Sequence, residues 1–316
     1  SHQQAVRLFN GFYEGCPELV VDLYAHTLVL FNYAEQPEDA DPALMAGSEW
    51  LCQKLPWVQA VLVKTRNAEQ LSDRQGNLIF GRLDQEVVEF GVRYALDLRI
   101  NQDASFYLDT RNLRDWLLRN SAGKSVLNTF AYTGSLGAAA ALSGAVRVVQ
   151  TDRNAKFLAL AQETYRLNGL VPAQQDFISG DFFRVTAGLK HDGRLFDLVI
   201  LDAPFFSTGV SGRVDLNTES TRLINKVRPL VAHNGYLIVV NNALFLSGHE
   251  YLASLESTCA GGFMNVKTII PVPADVSGYA ETRLGAPPAD PAPFNHSTKI
   301  VVLQVFRKDS AVSNVS

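Results

Sequence analysis

From residue 125 onward, short apolar segments alternate with amphipathic ones, and this alternation constrains the fold more than any other feature of the chain. The first cycle reads SVLNTF (125–130), GSLGAAAALSG (134–144), VRVVQTD (146–152) and NAKFLALAQETYRLNG (154–169). Short apolar runs predict strands, and apolar residues at helical spacing predict helices. Repeated strand–helix units with apolar strands form a mostly parallel sheet that helices cover on both faces.

The same rhythm continues to the C-terminus and predicts seven strands in all. The later strands are expected near 175–179 and over 196–202, 235–242, 265–271 and 299–306, with helices over 216–231 and 247–260. We therefore expect residues 101–316 to form one Rossmann-like α/β domain with a seven-stranded, mostly parallel sheet.

The front of the chain has a different pattern and predicts a small α+β domain over residues 1–100. Apolar segments separated by polar turns predict largely antiparallel strands, with one helix over 42–54. These strands are expected over 18–24, 27–33, 58–66, 77–83 and 87–99.

Composition excludes several classes of protein. The 3 cysteines form no even-numbered disulfide framework, and 28 basic against 32 acidic residues give a net charge of −4, unlike a strongly basic nucleic-acid coat. No apolar run reaches about 18 residues, and the first ten residues lack the profile of a signal peptide. We expect a cytoplasmic protein without a membrane span, and the scattered histidines predict no metal site.

Candidate binding residues follow the predicted strands, because open parallel sheets bind ligands beyond the carboxyl ends of their strands. After the first strand, Gly134 and Gly137 allow a tight turn and a close backbone approach to a ligand. Asp152 ends the second strand, where a carboxylate can accept hydrogen bonds from both hydroxyls of a ribose. The alternative is that Asp152 only caps the helix that begins near Asn154.

Two further loops follow the third and fourth strands. Asp181 beside Phe182 could hold the amino group of a stacked adenine, and an N-cap role is compatible with the same position. Asp202 opens the segment DAPFFS, which brings an acid, the rigid Pro204 and two aromatic residues to the mouth of the sheet. This loop is the candidate active site.

These motifs resemble those of class I S-adenosylmethionine-dependent methyltransferases. More narrowly, the chain is similar to the bacterial family of large-subunit ribosomal-RNA methyltransferases that make 5-methylcytosine or N7-methylguanine. Residues 7–33 resemble the family's strand pair, NQDASFYLDTR (101–111) its cofactor lid, and ETYRLNGL (163–170) the end of its second helix.

The resemblance implies S-adenosylmethionine as cofactor and ribosomal RNA as substrate, with the oligomeric state open and a homodimer among the options. The implied cofactor-binding residues come from the lid, the glycine turn and the strand ends. They are Phe106, Tyr107, Asp109, Arg111, Asn128, Phe130, Tyr132, Thr133, Gly134, Asp152, Arg153, Asp181, Phe182 and Asp202.

The chain also departs from the family's motifs. Asp103 occupies the place of the lid's usual lysine, and Ala203 that of a usual proline in the fourth motif. The members that make 5-methylcytosine need a thiolate to attack the base, but here Asn241 and Asn242 stand at the position of that thiol. Cys16, Cys52 and Cys259 lie elsewhere in the sequence, where a small buried cysteine is the default.

The paired asparagines favour methylation of a base nitrogen, with guanine preferred, because a ring nitrogen is already a nucleophile and needs mainly positioning. The predicted catalytic residues are Asp202, Pro204, Phe205 and Asn242, and the predicted substrate-binding residues are Phe206, Asn241 and Lys299. For Asn241, a buried role tied to the backbone is an equal alternative.

Two other classes of function stay open. One is a methyltransferase that acts on a small molecule or a protein, and the other is a cofactor-binding scaffold without catalysis. A dehydrogenase is disfavoured, because it should show GxGxxG and a proton-relay residue.

Overall fold

The computed structural model describes residues 2–209, 212–216 and 219–307 and divides into two compact units. The first contains Ser1–Thr110 together with Pro273–Ala286, and the second contains Arg111–Val272 with Pro287–Ser316. The first division thus lies ten residues after the boundary expected at residue 100. No pattern in the sequence indicated that Pro273–Ala286 belongs to the first unit.

The first unit contains a five-stranded sheet whose strands lie in chain order. They are β1 (Ala5–Phe9), β2 (Leu19–Tyr24), β3 (Thr27–Asn32), β4 (Ala60–Thr65) and β5 (Asn77–Gly81). Helix α1 (Pro37–Lys54) connects the parallel pair β3 and β4 and packs Leu44 against Leu28, Leu30 and Val61. The other neighbours are antiparallel.

Shorter elements complete this unit. They are α2 (Leu71–Gln75), β6 (Glu86–Glu89), β7 (Val92–Ala95) and α9 (Ala274–Ser277). The segment 87–99 was expected as one strand, but the chain turns back between β6 and β7. Phe90 and Gly91 both have positive φ there, which makes a tight hairpin in place of a continuous strand.

The second unit contains the expected seven-stranded sheet. Its strands are β8 (Ser125–Thr129), β9 (Arg147–Asp152), β10 (Phe177–Ser179), β11 (Phe196–Asp202), β14 (Val231–Asn241), β15 (Met264–Ile270) and β16 (Lys299–Val305). Their order across the sheet is β10-β9-β8-β11-β14-β16-β15. The neighbours from β10 to β14 are parallel, and β16 runs antiparallel to both β14 and β15.

Helices cover both faces of this sheet. They are α3 (Arg111–Asn120), α4 (Ser135–Leu142), α5 (Ala155–Leu167), α6 (Phe182–His191), α7 (Ser220–Val227) and α8 (Gly248–Cys259). Adjacent strand residues face opposite ways: Leu201 packs with residues of α6, α7 and α8, whereas Ile200 packs with residues of α3 and α4. Double-sided burial explains why segments such as FDLVILD are apolar throughout.

Two helices and one hairpin in the described part of the second unit were not predicted. They are α3, α6 and the hairpin of β12 (Phe206–Gly209) and β13 (Gly212–Asp215), which follows β11 directly. Throughout the described residues, no helix combines the length and the apolar character needed to cross a membrane.

Candidate active site

The site is built where the strand order of the second unit reverses. β8 lies between β9 and β11, so the chain moves to one side of β8 first and to its other side later. The loops that leave β8 and β11 therefore diverge, and a crevice at such a switch point is where doubly wound sheets bind their ligands. Thr129 and Asp202 end these two strands.

The turn after β8 has an unusual backbone. Phe130 and Tyr132 both have φ of 52°, and Gly134, which caps α4, has φ of 76°. Left-handed conformations cost free energy for residues with a side chain and cluster at ligand-binding loops. Contacts with other parts of the chain must therefore hold Phe130 and Tyr132 in these conformations.

The two glycines of this turn allow α4 to approach the sheet. A Cβ atom on Gly134 would lie under 3.0 Å from the Cβ of Ala161, and one on Gly137 would lie under 3.0 Å from the side-chain amide of Gln150. A side chain at either position would therefore disturb the close packing, and Gly134, with its positive φ, is also needed for the turn.

Asp152 joins the end of β9 to this turn. Its carboxylate accepts the backbone N–H of Tyr132 at 2.9 Å and that of Asn154 at 2.8 Å, one on each oxygen. Burial raises the pKa of Asp152, although both hydrogen bonds act in the opposite direction. Asn154 itself caps α5 by accepting the N–H of Lys156, so Asp152 is not the cap residue. A carboxylate can accept about four hydrogen bonds, which leaves capacity for ligand hydroxyls.

Asp181 has the N-cap role that the sequence allowed. Its side chain accepts the N–H groups of Phe183 at 3.0 Å and of Arg184 at 3.2 Å, at the start of α6. Phe182 is buried, and its ring stacks on Phe130 with centroids 4.5 Å apart. The aromatic pair thus links the turn after β8 to the loop after β10.

The loop after β11 presents polar and aromatic groups together. Asp202 is the last residue of the strand, and Pro204, Phe205 and Phe206 that follow are exposed. Ala203, where the family commonly has a proline, is buried in the core of the unit. The departure at this position therefore fills a core space and leaves the exposed part of the motif unchanged.

Asn241 and Lys299, both predicted to bind substrate, are fully buried. The amide of Asn241 donates to the carbonyl of Leu216 at 3.1 Å and accepts the N–H of Ala243 at 2.9 Å. The ammonium of Lys299 donates to the carbonyls of Ala243 at 2.9 Å and Ser297 at 2.7 Å, and burial lowers its pKa to about 8. In this structure both residues hold the backbone after β14, as the buried alternative for Asn241 expected, and their contact with substrate stays a prediction.

Asn242 differs from its neighbour. Its side-chain Oδ1 is buried and has no hydrogen-bond partner within the described parts of the chain. A buried amide oxygen without a partner costs free energy, and such a group in a native fold needs an explanation. A ligand that donates a hydrogen bond at the end of β14 would provide one.

Asn128 lies inside β8 and not at its end. It is buried, and its amide donates to the side-chain oxygen of Gln150 on β9 at 3.2 Å. Asn128 Oδ1 and Gln150 Nε2 are without partners among the residues described. The pair of Asn128 and Gln150 lies against the start of α4, because Gly137 of that helix packs on the Gln150 side chain.

The other predicted cofactor residues are divided between the two units. In the second unit, Thr133 is buried, Arg153 is exposed, and Arg111 is the first residue of α3. In the first unit are Phe106, Tyr107 and Asp109. Phe106 is buried there against Tyr94, with ring centroids 5.0 Å apart, and Tyr107 is 42% exposed.

The departure at Asp103 has a partner in the first unit. The Asp103 carboxylate pairs with the Arg66 guanidinium at 2.7 Å, and its carbonyl accepts the Lys64 ammonium at 3.1 Å. Lys64 is buried, which lowers its pKa to about 8, and it also donates to the carbonyl of Asn101 at 2.8 Å. The acidic residue of the predicted lid is therefore fixed by basic side chains of β4 and the turn after it.

Two exposed apolar residues that were not among the predicted site residues follow β14: Leu244 is 51% exposed and Phe245 is 75% exposed. The sequence feature that could have indicated them is an apolar pair shortly after Asn241 and Asn242, at the end of a predicted strand. Among the described residues, no group of His, Cys, Asp and Glu side chains has the arrangement of a metal site.

The comparisons with known proteins agree with this geometry. Residues 57–267 match a family model described as S-adenosylmethionine-dependent methyltransferase. The chain is 31% identical over 205 residues to Ribosomal RNA large subunit methyltransferase I of Aeromonas hydrophila, which covers 64% of this chain and 51% of that protein. It is 31% identical over 258 residues to a Ribosomal RNA large subunit methyltransferase of Deinococcus radiodurans. This match covers 79% of this chain and 62% of that protein.

The fold has close counterparts among solved structures. SMU.776, solved as a complex with SAH, matches with a TM-score of 0.82 at 20% identity, over 96% of this chain and 76% of that one. The chain spans about half the length of the first of its curated relatives. With the family model matched over most of its length, the chain belongs to the family of S-adenosylmethionine-dependent methyltransferases.

Proposed function

We propose that this protein transfers a methyl group from S-adenosylmethionine to a base nitrogen of ribosomal RNA, with guanine favoured, and that it uses no cysteine nucleophile. The observation that carries the proposal is Asn242, whose buried amide oxygen has no partner among the described residues at the end of β14. The names of the curated relatives support ribosomal RNA as the substrate class.

The second unit offers the groups that this cofactor needs. Asp152 would accept hydrogen bonds from the ribose hydroxyls, since a carboxylate can accept about four hydrogen bonds and backbone N–H groups use only part of this capacity. The turn from Phe130 to Gly134 would carry the middle of the cofactor, and Asp181 the adenine. The cofactor supplies an electrophilic methyl group on a sulfonium, so the protein needs only to align a nucleophile with it.

Asp202, the last residue of β11, and Asn242, which directly follows β14, are suited to hold the target base. Asp202 is paired in register with Val240, two residues before Asn242, and paired strands lie about 4.8 Å apart. A carboxylate and an amide oxygen both accept hydrogen bonds, and guanine has two adjacent donors, N1–H and the exocyclic amino group, along one edge. Phe205 would stack on the face of the base.

The three cysteines support a mechanism without a covalent adduct. Cys16 and Cys52 belong to the first unit, and Cys259 ends α8. α8 begins just after β14 and has 12 residues, so Cys259 is about 18 Å along the helix from that end. Burial raises the pKa of all three thiols, whereas a nucleophilic cysteine needs a lowered pKa.

The test is transfer of labelled methyl from S-adenosylmethionine to total RNA from cells that lack this protein, beside protein and small-molecule extracts. Asp202→Ala is the control variant, and its cofactor binding is measured separately. We expect label in ribosomal RNA that depends on Asp202. Label confined to protein or to small molecules would show that RNA is not the substrate. Cofactor binding without any methyl transfer would support the scaffold alternative.

A further inference from the structure

Phe245 is exposed to an extent that the fold does not require. At 75% exposure it is the most exposed aromatic side chain in the described part of the chain. A single exposed apolar residue is ordinary, but this one lies in the short loop between the end of β14 at Asn241 and the start of α8 at Gly248.

The backbone that carries Phe245 is fixed at both ends. On one side, Ala243 is held by Asn241 through its N–H and by Lys299 through its carbonyl. On the other side, Ser247 caps α8 by accepting the N–H of Glu250 at 3.2 Å, while Glu250 accepts the N–H of Ser247 at 3.0 Å. Two buried polar residues and a capping box thus present the exposed ring on a short, anchored loop.

The loop is beside the proposed target site. It follows β14, while Phe205 and Phe206, 47% and 53% exposed, follow the parallel neighbour β11. The buried amide oxygen of Asn242 lies three residues before Phe245. Two adjacent strand ends therefore supply exposed aromatic rings together with the unpartnered polar group.

We propose that Phe245 stacks on a base of single-stranded RNA that neighbours the methylated base. The inference rests on the proposed function and adds a residue for binding flanking sequence. An anchored loop loses little conformational entropy on binding, and an aromatic face stacks on any base. Phe205 and Phe206 would contact the target base, and Phe245 the next base along the strand. The test must distinguish this RNA contact from the alternative in which the substrate is a protein.

The first experiment measures binding of a fluorescein-labelled, single-stranded ten-nucleotide RNA of mixed sequence by anisotropy, and of the same RNA in a duplex. Phe245→Ala is expected to weaken single-strand binding by about tenfold, since removal of one base–aromatic stack has an effect of this order. Leu195→Ala is the control, because Leu195 is a 45% exposed apolar residue that precedes β11, at the opposite end of this strand from Asp202. Its affinity should equal that of the unchanged protein.

A second variant reports on stacking directly. Tryptophan fluorescence is quenched when a base stacks on the indole, so Phe245→Trp should show quenching by the single-stranded RNA beyond that of the three native tryptophans. Unchanged affinity in Phe245→Ala together with no added quenching in Phe245→Trp would overturn the proposal.

Steady-state kinetics distinguish this inference from the proposed function. Phe245→Ala should raise the KM for ribosomal RNA about tenfold and leave the KM for S-adenosylmethionine unchanged. If the unchanged protein methylates ribosomal RNA and Phe245→Ala has the same KM, the inference fails and the proposed function stands. If the unchanged protein labels only protein, both fail.

Discussion

The carboxylate of Asp152 accepts the backbone N–H of Tyr132 at 2.9 Å, and this contact joins the end of β9 to the turn that follows β8. Tyr132 has φ of 52°, so the hydrogen bond helps to hold a residue in a backbone conformation that it would otherwise avoid. One acidic residue therefore helps to shape the turn, and its carboxylate can accept further hydrogen bonds.

Replacing Asp152 with alanine should weaken S-adenosylmethionine binding strongly. The carboxylate is expected to accept charge-assisted hydrogen bonds from ribose hydroxyls, each worth about 1.5 to 3 kcal/mol. Isothermal titration calorimetry measures the loss, with Asp192→Ala as control, because Asp192 is an exposed acid at the far end of α6. Equal affinities for Asp152→Ala and the control would remove the ribose assignment.

Replacing Gly137 with alanine should lower the free energy of unfolding by about 1 to 3 kcal/mol, because the new methyl group would overlap the side chain of Gln150. Urea denaturation measures the change. Gly188→Ala is the matched control: that glycine lies within α6 with open space around it, so alanine there should stabilise by about 0.5 to 1 kcal/mol.

The cause of the Gly137 effect can be checked with Gln150→Ala. In a double-mutant cycle, the second substitution should relieve the overlap and give a coupling energy of about 1 kcal/mol or more. Additive effects of the two substitutions would contradict the packing argument.

Replacing all three cysteines with alanine should leave methyl transfer intact. No thiol stands at the end of β14, and burial raises the pKa of each cysteine. Circular dichroism establishes that the triple variant is folded, and transfer of labelled methyl to ribosomal RNA gives its activity. A folded but inactive variant would restore the thiolate mechanism.

Lys299 should make stability rise between about pH 8 and pH 10. Its pKa falls from 10.5 to about 8 in the folded protein, so over this interval the unfolded chain binds more protons and deprotonation favours folding. Urea titrations across this range should show a rise to which Lys299 contributes about 1 to 3 kcal/mol.

The substitution Lys299→Met should reduce that rise, and Lys267→Met, at an exposed position of β15, should not. Lys64 also has a lowered pKa, so part of the rise in stability should remain in both variants. The same pH dependence in Lys299→Met as in the unchanged protein would contradict the buried, neutralisable state of Lys299.

The central sheet could be predicted from sequence because its strands are buried on both faces. FDLVILD was expected over 196–202, and β11 has these bounds. α6 was missed because its first residues, Phe182 and Phe183, were attributed to a binding loop, although Asp181 marks a helix start. The hairpin of β12 and β13 has too short a pattern to be distinguished from a loop.

The roles of Asn241 and Asn242 show what sequence leaves undetermined at the site. Asn241 is the last residue of β14 and Asn242 follows it, yet the Asn241 amide is hydrogen-bonded while Asn242 Oδ1 has no partner in the described part of the chain. This difference depends on contacts with distant residues such as Leu216, and these exist only in the folded protein. Likewise, the sequence placed Lys299 near the mouth of the sheet. It did not indicate that the Lys299 ammonium is buried and donates to two backbone carbonyls.

The most direct test of the central claim identifies the methylated nucleoside. Ribosomal RNA from cells that lack this protein is methylated in vitro with labelled S-adenosylmethionine, digested to nucleosides and separated by liquid chromatography with mass detection. We predict label on a methylated guanine, with the methyl group on nitrogen, and no label in the Asp202→Ala reaction. Label on carbon 5 of cytosine, or label that is independent of Asp202, would contradict it.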